Sequence, residues 1–316
     1  MLEKDPDPRE NRVIFIFIDG LGIGSCDPRV NPLAAFQPRI LRLYQNALGP
    51  FPFQGQCLVT DAQLNVAGTP QSATGQTTLL TGVNAAAYLG HHLPGFPNRT
   101  LKELIAQHSL FRRLKQKGMQ MTFANAYTPH FFEKRHRWSS VTTVMCETAR
   151  VRLCRLDDLL AERSVFMDFT NQLLLERGHH VPLRTPQQAA RILLDLSKEY
   201  HLCLYEYFLT DLTGHRGDLE EAVRLLEQLN VFLFEILKGV DLETTSVIIS
   251  SDHGNIEKMD QKQHTTNPVG TLLWGPIQEE AYQISGAFAL TGVTPMIESV
   301  LSASLRQYDD VRRRTG

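Results

Sequence analysis

The chain has 316 residues, 32 of them basic and 34 acidic, which gives a formal net charge of −2, and 42% of its residues are hydrophobic. This composition fits a folded protein with a sizeable core, and the near-neutral charge gives no reason to expect a nucleic-acid partner. No apolar run approaches the roughly 20 residues of a membrane-spanning helix, and the charged start at 1–12 lacks a signal-peptide core. Five scattered cysteines contain no C-x-x-C pair. We therefore expect a cytoplasmic protein without a membrane partner.

Short apolar runs along the chain predict buried, largely parallel strands. These runs cover 13–18, 121–124, 202–209, 247–249 and 271–274. Helical patterns lie between them, and strands that alternate with helices imply crossover connections. The expected fold class is therefore α/β, a three-layer α/β/α sandwich around a largely parallel central sheet.

Capping patterns mark where several of these helices begin. Thr100, followed three residues later by Glu103, has the spacing of a capping box. Thr185 precedes Pro186 at the first helical position, which is a stronger helix start. A long amphipathic helix is predicted over 218–239, where the pattern ends at a glycine.

The segment 128–184 departs from the alternation of strands and helices. It has a basic and aromatic stretch at 131–138, followed by amphipathic pieces without a clear buried strand. We predict a small lid or cap here, inserted into a core made of 1–127 and 185–316. The basic run 134–137 could hold a phosphate or face solvent, and the sequence favours the solvent-facing alternative.

Acidic and imidazole side chains follow the predicted strands, at the edge where ligands bind in open parallel sheets. They are Asp19, Asp211, His215, Asp252, His253 and His264, the last of which precedes the strand at 271–274. Each alone is explained as well by a turn or a solvated pair. Their joint placement instead predicts a metal site, since carboxylate oxygens and imidazole nitrogens suit zinc or manganese.

The glycine-rich loop at 20–24 does not fit a dinucleotide-binding site. Its spacing is not G-x-G-x-x-G, because position 25 is a serine. Pro28 and Pro32 also prevent a long helix from opening directly after the loop. The sequence has no G-x-x-x-x-G-K-[ST] loop, so a P-loop enzyme is not supported either.

Ser72 is the candidate nucleophile. It follows Pro70 at the predicted start of a helix that ends near Gly82. A serine in this position can simply cap the helix. The helix N-terminus can equally stabilise an alkoxide or a bound phosphate, and an adjacent metal ion would activate the hydroxyl further.

Five segments resemble the alkaline phosphatase superfamily, most of all its metalloenzyme branch, which includes cofactor-independent phosphoglycerate mutase and phosphopentomutase. The matching segments are VIFIFIDG at 13–20, SATGQTTLLTG at 72–82, TDLTGHRGDLEEAV at 210–223, SDHGNIEKM at 251–259 and HTTNPV at 264–269. They occur in the family's order and span most of the predicted core.

The resemblance implies two divalent metal ions, with manganese favoured over zinc. One ion would be held by Asp19, Ser72, Asp252 and His253, and the other by Asp211, His215 and His264. It also implies that Ser72 attacks phosphorus and forms a phosphoserine intermediate, with Thr74 as the weaker candidate. The expected partner is a small phosphorylated metabolite.

The sequence leaves several functions open. We expect a phosphatase or phosphomutase, with a phosphodiesterase or nucleotide pyrophosphatase on the same core as the alternative. A catalytically silent metal- or phosphate-binding module is a third hypothesis. The inserted segment is much shorter than that of the family's phosphoglycerate mutases, which argues against that particular activity. The absence of C-x-P-x-R around Ser72 argues against a sulfatase.

Overall fold

The computed structural model describes residues 11–133, 139–284 and 286–303. Its strands are β1 (Arg12–Ile18), β2 (Gln56–Asp61), β3 (Met121–Phe123), β4 (Ala126–Tyr127), β5 (Cys154–Arg155), β6 (Leu202–Tyr207), β7 (Thr245–Ser250), β8 (Val269–Trp274) and β9 (Phe288–Ala289). Within these residues, seven strands form one sheet in the order β3-β6-β1-β7-β8-β2-β9, while β4 pairs separately with β5.

The helices lie mainly on the two faces of this sheet. They are α1 (Pro32–Phe36), α2 (Ser72–Thr81), α3 (Ala85–Leu89), α4 (Arg99–His108), α5 (Leu110–Gln116), α6 (Pro129–Glu133), α7 (Val141–Ala149), α8 (Leu156–Leu160), α9 (Gln172–Glu176), α10 (Pro186–Ser197), α11 (Leu209–Arg216), α12 (Leu219–Gly239), α13 (Ile277–Tyr282) and a helix described over 293–303. Among the described helices, none has the length and apolar character that crossing a bilayer requires.

The central strand β1 shows how the sheet is covered on both faces. Phe15 and Phe17 belong to one buried apolar cluster, with residues of α2, α4, α5 and α7. Ile14 and Ile16 belong to a second cluster, with residues of α10 and α12. Because successive strand residues point to opposite faces, these two clusters are the interfaces between three layers. The predicted three-layer α/β/α sandwich is confirmed.

The direction of β8 differs from the prediction. It pairs antiparallel with both β7 and β2, whereas the run at 271–274 was expected to be parallel. The apolar pattern of a buried strand does not carry its direction. Since β8 runs the opposite way, its first residues lie at the edge where β1, β6 and β7 end. This reversal also brings His264, in the segment before β8, to that edge.

The helix starts agree with two predictions and contradict one. Thr185 Oγ1 accepts a hydrogen bond from the Gln188 backbone N–H, so this capping box is confirmed. Asp218 caps α12, which covers the predicted range. The start predicted at Thr100 is wrong, because Asn98 caps α4 and Thr100 lies inside the helix. In addition, β6 ends two residues before the predicted 202–209 strand does, and α11 begins there.

The predicted insertion, 128–184, contains parts with different packing. Helix α7 contributes to the same apolar cluster as β1 and α4. A separate small cluster is formed by Ala126, Leu159, Phe166, Leu174 and Val181. The basic run 134–137 lies outside the described residues, and the boundaries of the lid stay a prediction.

Candidate metal centre

The structure brings the six predicted acidic and imidazole ligands together at the carboxyl edge of the sheet. Two groups of three have ligand atoms close enough to hold a metal ion. The first group is Asp19, Asp252 and His253, and the second is Asp211, His253 and His264. His253 belongs to both groups, so the two groups form one continuous cluster.

The first group surrounds the His253 imidazole and includes the candidate nucleophile. His253 Nε2 lies 3.3 Å from Asp19 Oδ1 and 3.4 Å from Asp252 Oδ2. Ser72 Oγ lies 3.0 Å from the same nitrogen. These four residues are the set that the resemblance implies for one ion.

The other ligand set, Asp211, His215 and His264, is centred on the Asp211 carboxylate. His264 Nε2 lies 3.3 Å from Asp211 Oδ1, and His215 Nε2 lies 3.4 Å from Asp211 Oδ2. The two imidazole Nε2 atoms are 3.1 Å apart. Asp211 and His215 are held one turn apart on α11, while His264 approaches from the segment before β8. These three residues are the set implied for the other ion.

Backbone carbonyls orient the imidazole rings of His264 and His215. His264 Nδ1 donates to the Pro70 carbonyl at 3.0 Å, and His215 Nδ1 donates to the Lys262 carbonyl at 2.6 Å. A carbonyl only accepts, so each Nδ1 carries a proton, and when a ring is neutral its Nε2 atom presents a lone pair. Two lone pairs and a carboxylate that meet at one point fit a bound cation.

The burial of so many charged groups shifts their pKa values. Burial raises the pKa of Asp19 well above its usual value, and the negative charge of Asp252 raises it further. Burial and the charge of Asp211 raise the pKa of Asp252 to about 7. Burial, together with the positive charge on His264, lowers the pKa of His253 to about 3. The cluster therefore resists holding all its negative charge without a compensating cation.

The pKa values of Asp211 and His264 shift in the opposite direction, toward the charged form of each group. Burial alone would raise the pKa of Asp211, but the hydrogen bonds from His264 and Asn255, together with the positive charges of protonated His253 and His264, lower the pKa to about 2. Burial would lower the pKa of His264, but the hydrogen bond and negative charge of Asp211, together with the Pro70 carbonyl and the charge of Asp252, raise it.

Two carboxylate oxygens provide a direct test of whether the site fits metal ions. Asp19 Oδ1 and Asp252 Oδ2 are buried and accept no hydrogen bond from the described residues. A buried acceptor without a donor is costly unless a cation occupies its lone pairs. The residues present therefore fit divalent cations bound by oxygen and nitrogen ligands.

Ser72 is the first residue of α2, and Gln71 occupies the cap position without a side-chain cap bond. The structure thus favours an available Ser72 hydroxyl over a capping one. Thr74, the weaker nucleophile candidate, is fully buried. Its hydroxyl donates to the Gln71 carbonyl and accepts from the Leu93 N–H, so it is already engaged.

Three residues that support the cluster were not predicted from the sequence. Gln76 Nε2 donates to Asp19 Oδ2 at 3.0 Å, and Asn255 Nδ2 donates to Asp211 Oδ1 at 2.7 Å. Glu257 is buried and accepts from the backbone N–H groups of Gly22 and Asn255. It also accepts from the side chains of Thr265 and Asn267. Glu257 therefore ties together three loops that carry the metal-site residues. Its only signal in the sequence was its place within SDHGNIEKM.

The glycine-rich loop after β1 is explained by this crowding. A Cβ at Gly20, where φ is +71°, would lie 2.9 Å from Asp211 Oδ1, and a Cβ at Gly22 would lie 2.5 Å from Glu257 Oε1. The glycines are required because neighbouring loops approach the backbone closely.

Comparison with known proteins now identifies the class to which this fold and cluster belong. The model of the Metalloenzyme superfamily matches residues 11–302, so the chain belongs to that family. The predicted place in the alkaline phosphatase superfamily, in its metalloenzyme branch, is confirmed.

Curated relatives match only part of the chain. A 2,3-bisphosphoglycerate-independent phosphoglycerate mutase of Methylobacillus flagellatus is 33% identical over 87 residues, which are 25% of this chain and 17% of the relative. One from Synechocystis sp. is 31% identical over 115 residues, which are 33% of this chain and 21% of the relative. The matched part is thus about a fifth of these relatives' length.

Solved structures of low sequence identity share the fold over nearly the whole chain. A protein from Pyrococcus horikoshii is 13% identical with a TM-score of 0.58, and the match covers 94% of this chain and 98% of that one. A cold-active alkaline phosphatase from Shewanella sp. is 13% identical with a TM-score of 0.51, covering 91% and 99%. At this identity the similarity concerns the fold.

Proposed function

We propose that the protein is a metal-dependent phosphoryl-transfer enzyme, a phosphatase or phosphomutase that acts on a small phosphorylated metabolite through a phosphoserine intermediate. The observation that carries the proposal is the convergence of His215, His264 and Asp211, next to the His253 ring that contacts Ser72. Family membership supports it, as does the activity named for the mutase relatives.

The proposal assigns the two ligand sets to two divalent cations. One would be held by Asp19, Ser72, Asp252 and His253, and the other by Asp211, His215 and His264. When bound, such cations supply positive charge for the phosphate oxygens and favour the ionised form of a nearby hydroxyl. The resemblance favours manganese, while the mixed oxygen and nitrogen ligands also suit zinc.

The protein's own groups orient the reactants. Ser72 begins α2, so the N–H groups of the first turn lack acceptors within the helix and can bind phosphate oxygens. Ser72 Oγ forms the new bond to phosphorus as the ester oxygen leaves and takes up a proton. Water or an acceptor hydroxyl then attacks the phosphoserine and restores the serine. We propose that 128–184 caps the site during these steps.

The test is turnover of small phosphate monoesters by the full chain, with manganese and zinc each supplied. Ser72→Ala is expected to lower kcat by roughly a thousandfold or more, since the nucleophile is lost. Thr74→Ser is the matched control, because it keeps the hydroxyl and its two hydrogen bonds, and it should retain activity. Acid-quenched wild-type protein should also show one phosphate on Ser72 by mass spectrometry.

Several outcomes would contradict this function. If the Ser72→Ala variant turned over monoesters at the wild-type rate, phosphoserine chemistry at this position would be excluded. Cleavage of a phosphate diester well ahead of the monoester would favour the phosphodiesterase alternative. Metal binding without turnover of any ester would support a catalytically silent module.

A further inference from the structure

A cavity of about 550 Å³ adjoins the metal centre, and Asp19, Ser72 and Asp211 form part of its wall. The rest of the described wall includes six aromatic side chains, Phe96, Phe123, Tyr127, Phe131, Phe166 and Phe208. A cavity of this size is typical of binding sites for small organic ligands.

The strand order explains where this aromatic wall lies. Strand β1 leads to Asp19, its neighbour β6 leads to Phe208, and β3 at the sheet edge ends at Phe123. The cavity therefore extends from the metal ligands along the carboxyl edge toward β3. A phosphate ester bound at Ser72 would have its alcohol portion available to this space.

The aromatic wall is organised before any ligand binds. The ring centroids of Tyr127 and Phe131 are 4.3 Å apart, and those of Phe123 and Tyr127 are 6.2 Å apart. The Tyr127 hydroxyl is held by Thr143 Oγ1 at 2.7 Å. Rings fixed in this way lose little conformational freedom when they contact a ligand.

Apolar surface within the cavity is still open to solvent. Phe96 and Leu212, which both line it, are 48% and 43% exposed. Covering such side chains with an apolar ligand group is favourable because it removes their surface from water.

Beyond Asp19 and Asp211, the described wall contains few charged side chains. Arg177 is the one cationic side chain among the described lining residues, and it is exposed. Beyond the metal ligands the wall contains a further acidic residue, Glu206, which is buried and accepts a hydrogen bond from Thr142. Within the described wall, a carboxylate on the alcohol would therefore contact mainly aromatic rings.

We propose that the cavity binds the alcohol portion of the substrate and selects phosphate monoesters whose alcohol carries a ring-sized apolar group. This inference rests on the proposed phosphoryl-transfer function and specifies its substrate class.

The test compares kcat/KM for 2-phenylethyl phosphate, glycerol 1-phosphate and 3-phosphoglycerate. Cleavage of 4-nitrophenyl phosphate shows whether the protein hydrolyses phosphate monoesters at all. The three test esters all release alkyl alcohols, so differences among them report mainly on recognition of the alcohol. We expect 2-phenylethyl phosphate to exceed the other two by about tenfold or more, the gain that burial of a phenyl group provides.

Variants of the wall show whether the cavity causes this preference. Phe96→Ala and Phe131→Ala should each lower the ratio of kcat/KM between 2-phenylethyl and glycerol phosphates by about threefold or more. Tyr282→Ala is the matched control, because Tyr282 is 77% exposed and does not line the cavity. It should leave the ratio unchanged.

The outcomes separate this inference from the function on which it rests. Equal kcat/KM values for the three test esters, or a higher value for 3-phosphoglycerate, would overturn the proposed substrate class. Phosphoryl transfer itself would still be supported. A preference that survives both phenylalanine substitutions would also overturn it. Failure to cleave any monoester, including 4-nitrophenyl phosphate, would overturn both.

Discussion

Glu206 is a buried carboxyl group near the end of β6, where it accepts a hydrogen bond from Thr142. Burial raises its pKa to about 7, from a usual value of 4.5. The folded protein therefore binds this proton more tightly than the unfolded chain does. The associated stability is fully present below pH 4.5 and is lost as the pH rises through 7.

Glu206→Gln tests this effect, since glutamine cannot ionise but can still accept from Thr142. We expect the free energy of unfolding of the wild type, relative to the variant, to fall by about 3 kcal/mol between pH 4.5 and pH 8. Urea denaturation of both proteins in matched buffers measures the difference, in which the titration of other groups cancels. A difference that stays constant with pH would show that Glu206 ionises normally.

Residue types at strand ends made the clustering of the candidate metal ligands predictable. Asp19, Asp211 and Asp252 each follow an apolar run, at the edge where open parallel sheets bind ligands. Glu257 could not be assigned in the same way. Its partner Gly22 is 235 residues away, and this contact depends on how the loops meet in space.

Among the elements, α2 packs unusually closely against the loop that follows β7. A Cβ at Gly75 would lie 2.7 Å from the Asp252 backbone oxygen and 3.1 Å from its Cβ. In an uncrowded helix, Gly→Ala stabilises a protein by about 1 kcal/mol. Here the added methyl group must push the helix that carries Ser72 away from the loop that carries Asp252.

We therefore expect Gly75→Ala to destabilise the protein, by about 1–3 kcal/mol, and to reduce kcat on monoesters by about tenfold or more. Chemical denaturation and steady-state kinetics measure the two effects. The sign is decisive: an increase in stability with full activity would mean that α2 and the loop can separate without consequence.

Most helices and strands could be predicted because the capping and periodicity patterns that indicate them lie in consecutive residues. The helix 218–239 has both its cap and its apolar periodicity in the sequence. Strand β2 lacked such a signal, since most of its residues are only partly buried and Val59 is 50% exposed. The direction of β8 was missed because it is decided by pairing with β7 and β2, which the strand itself does not encode.

At the scale of the whole molecule, the alternation of apolar runs and helical patterns predicted the layers. It did not predict the lateral order of the strands, β3-β6-β1-β7-β8-β2-β9, in which β1 and β7 become neighbours. That order places Asp19 beside Asp252 although they are distant in the chain. The candidate metal centre is thus a product of the complete topology.

Because the ligands come from loops throughout the fold, bound metal should stabilise the whole molecule. If metal binds the assembled cluster and not the dispersed ligands of the unfolded chain, as we propose, Mn²⁺ or Zn²⁺ at a hundred times its Kd should add about 2.7 kcal/mol. We expect a rise in Tm of about 5 °C, reversed by EDTA. Asp211→Asn should abolish most of this rise, whereas Asp195→Asn, which changes an exposed carboxylate outside the cluster, should retain it. Equal metal-induced rises in Tm for both variants would show that the stabilising metal binds outside the cluster.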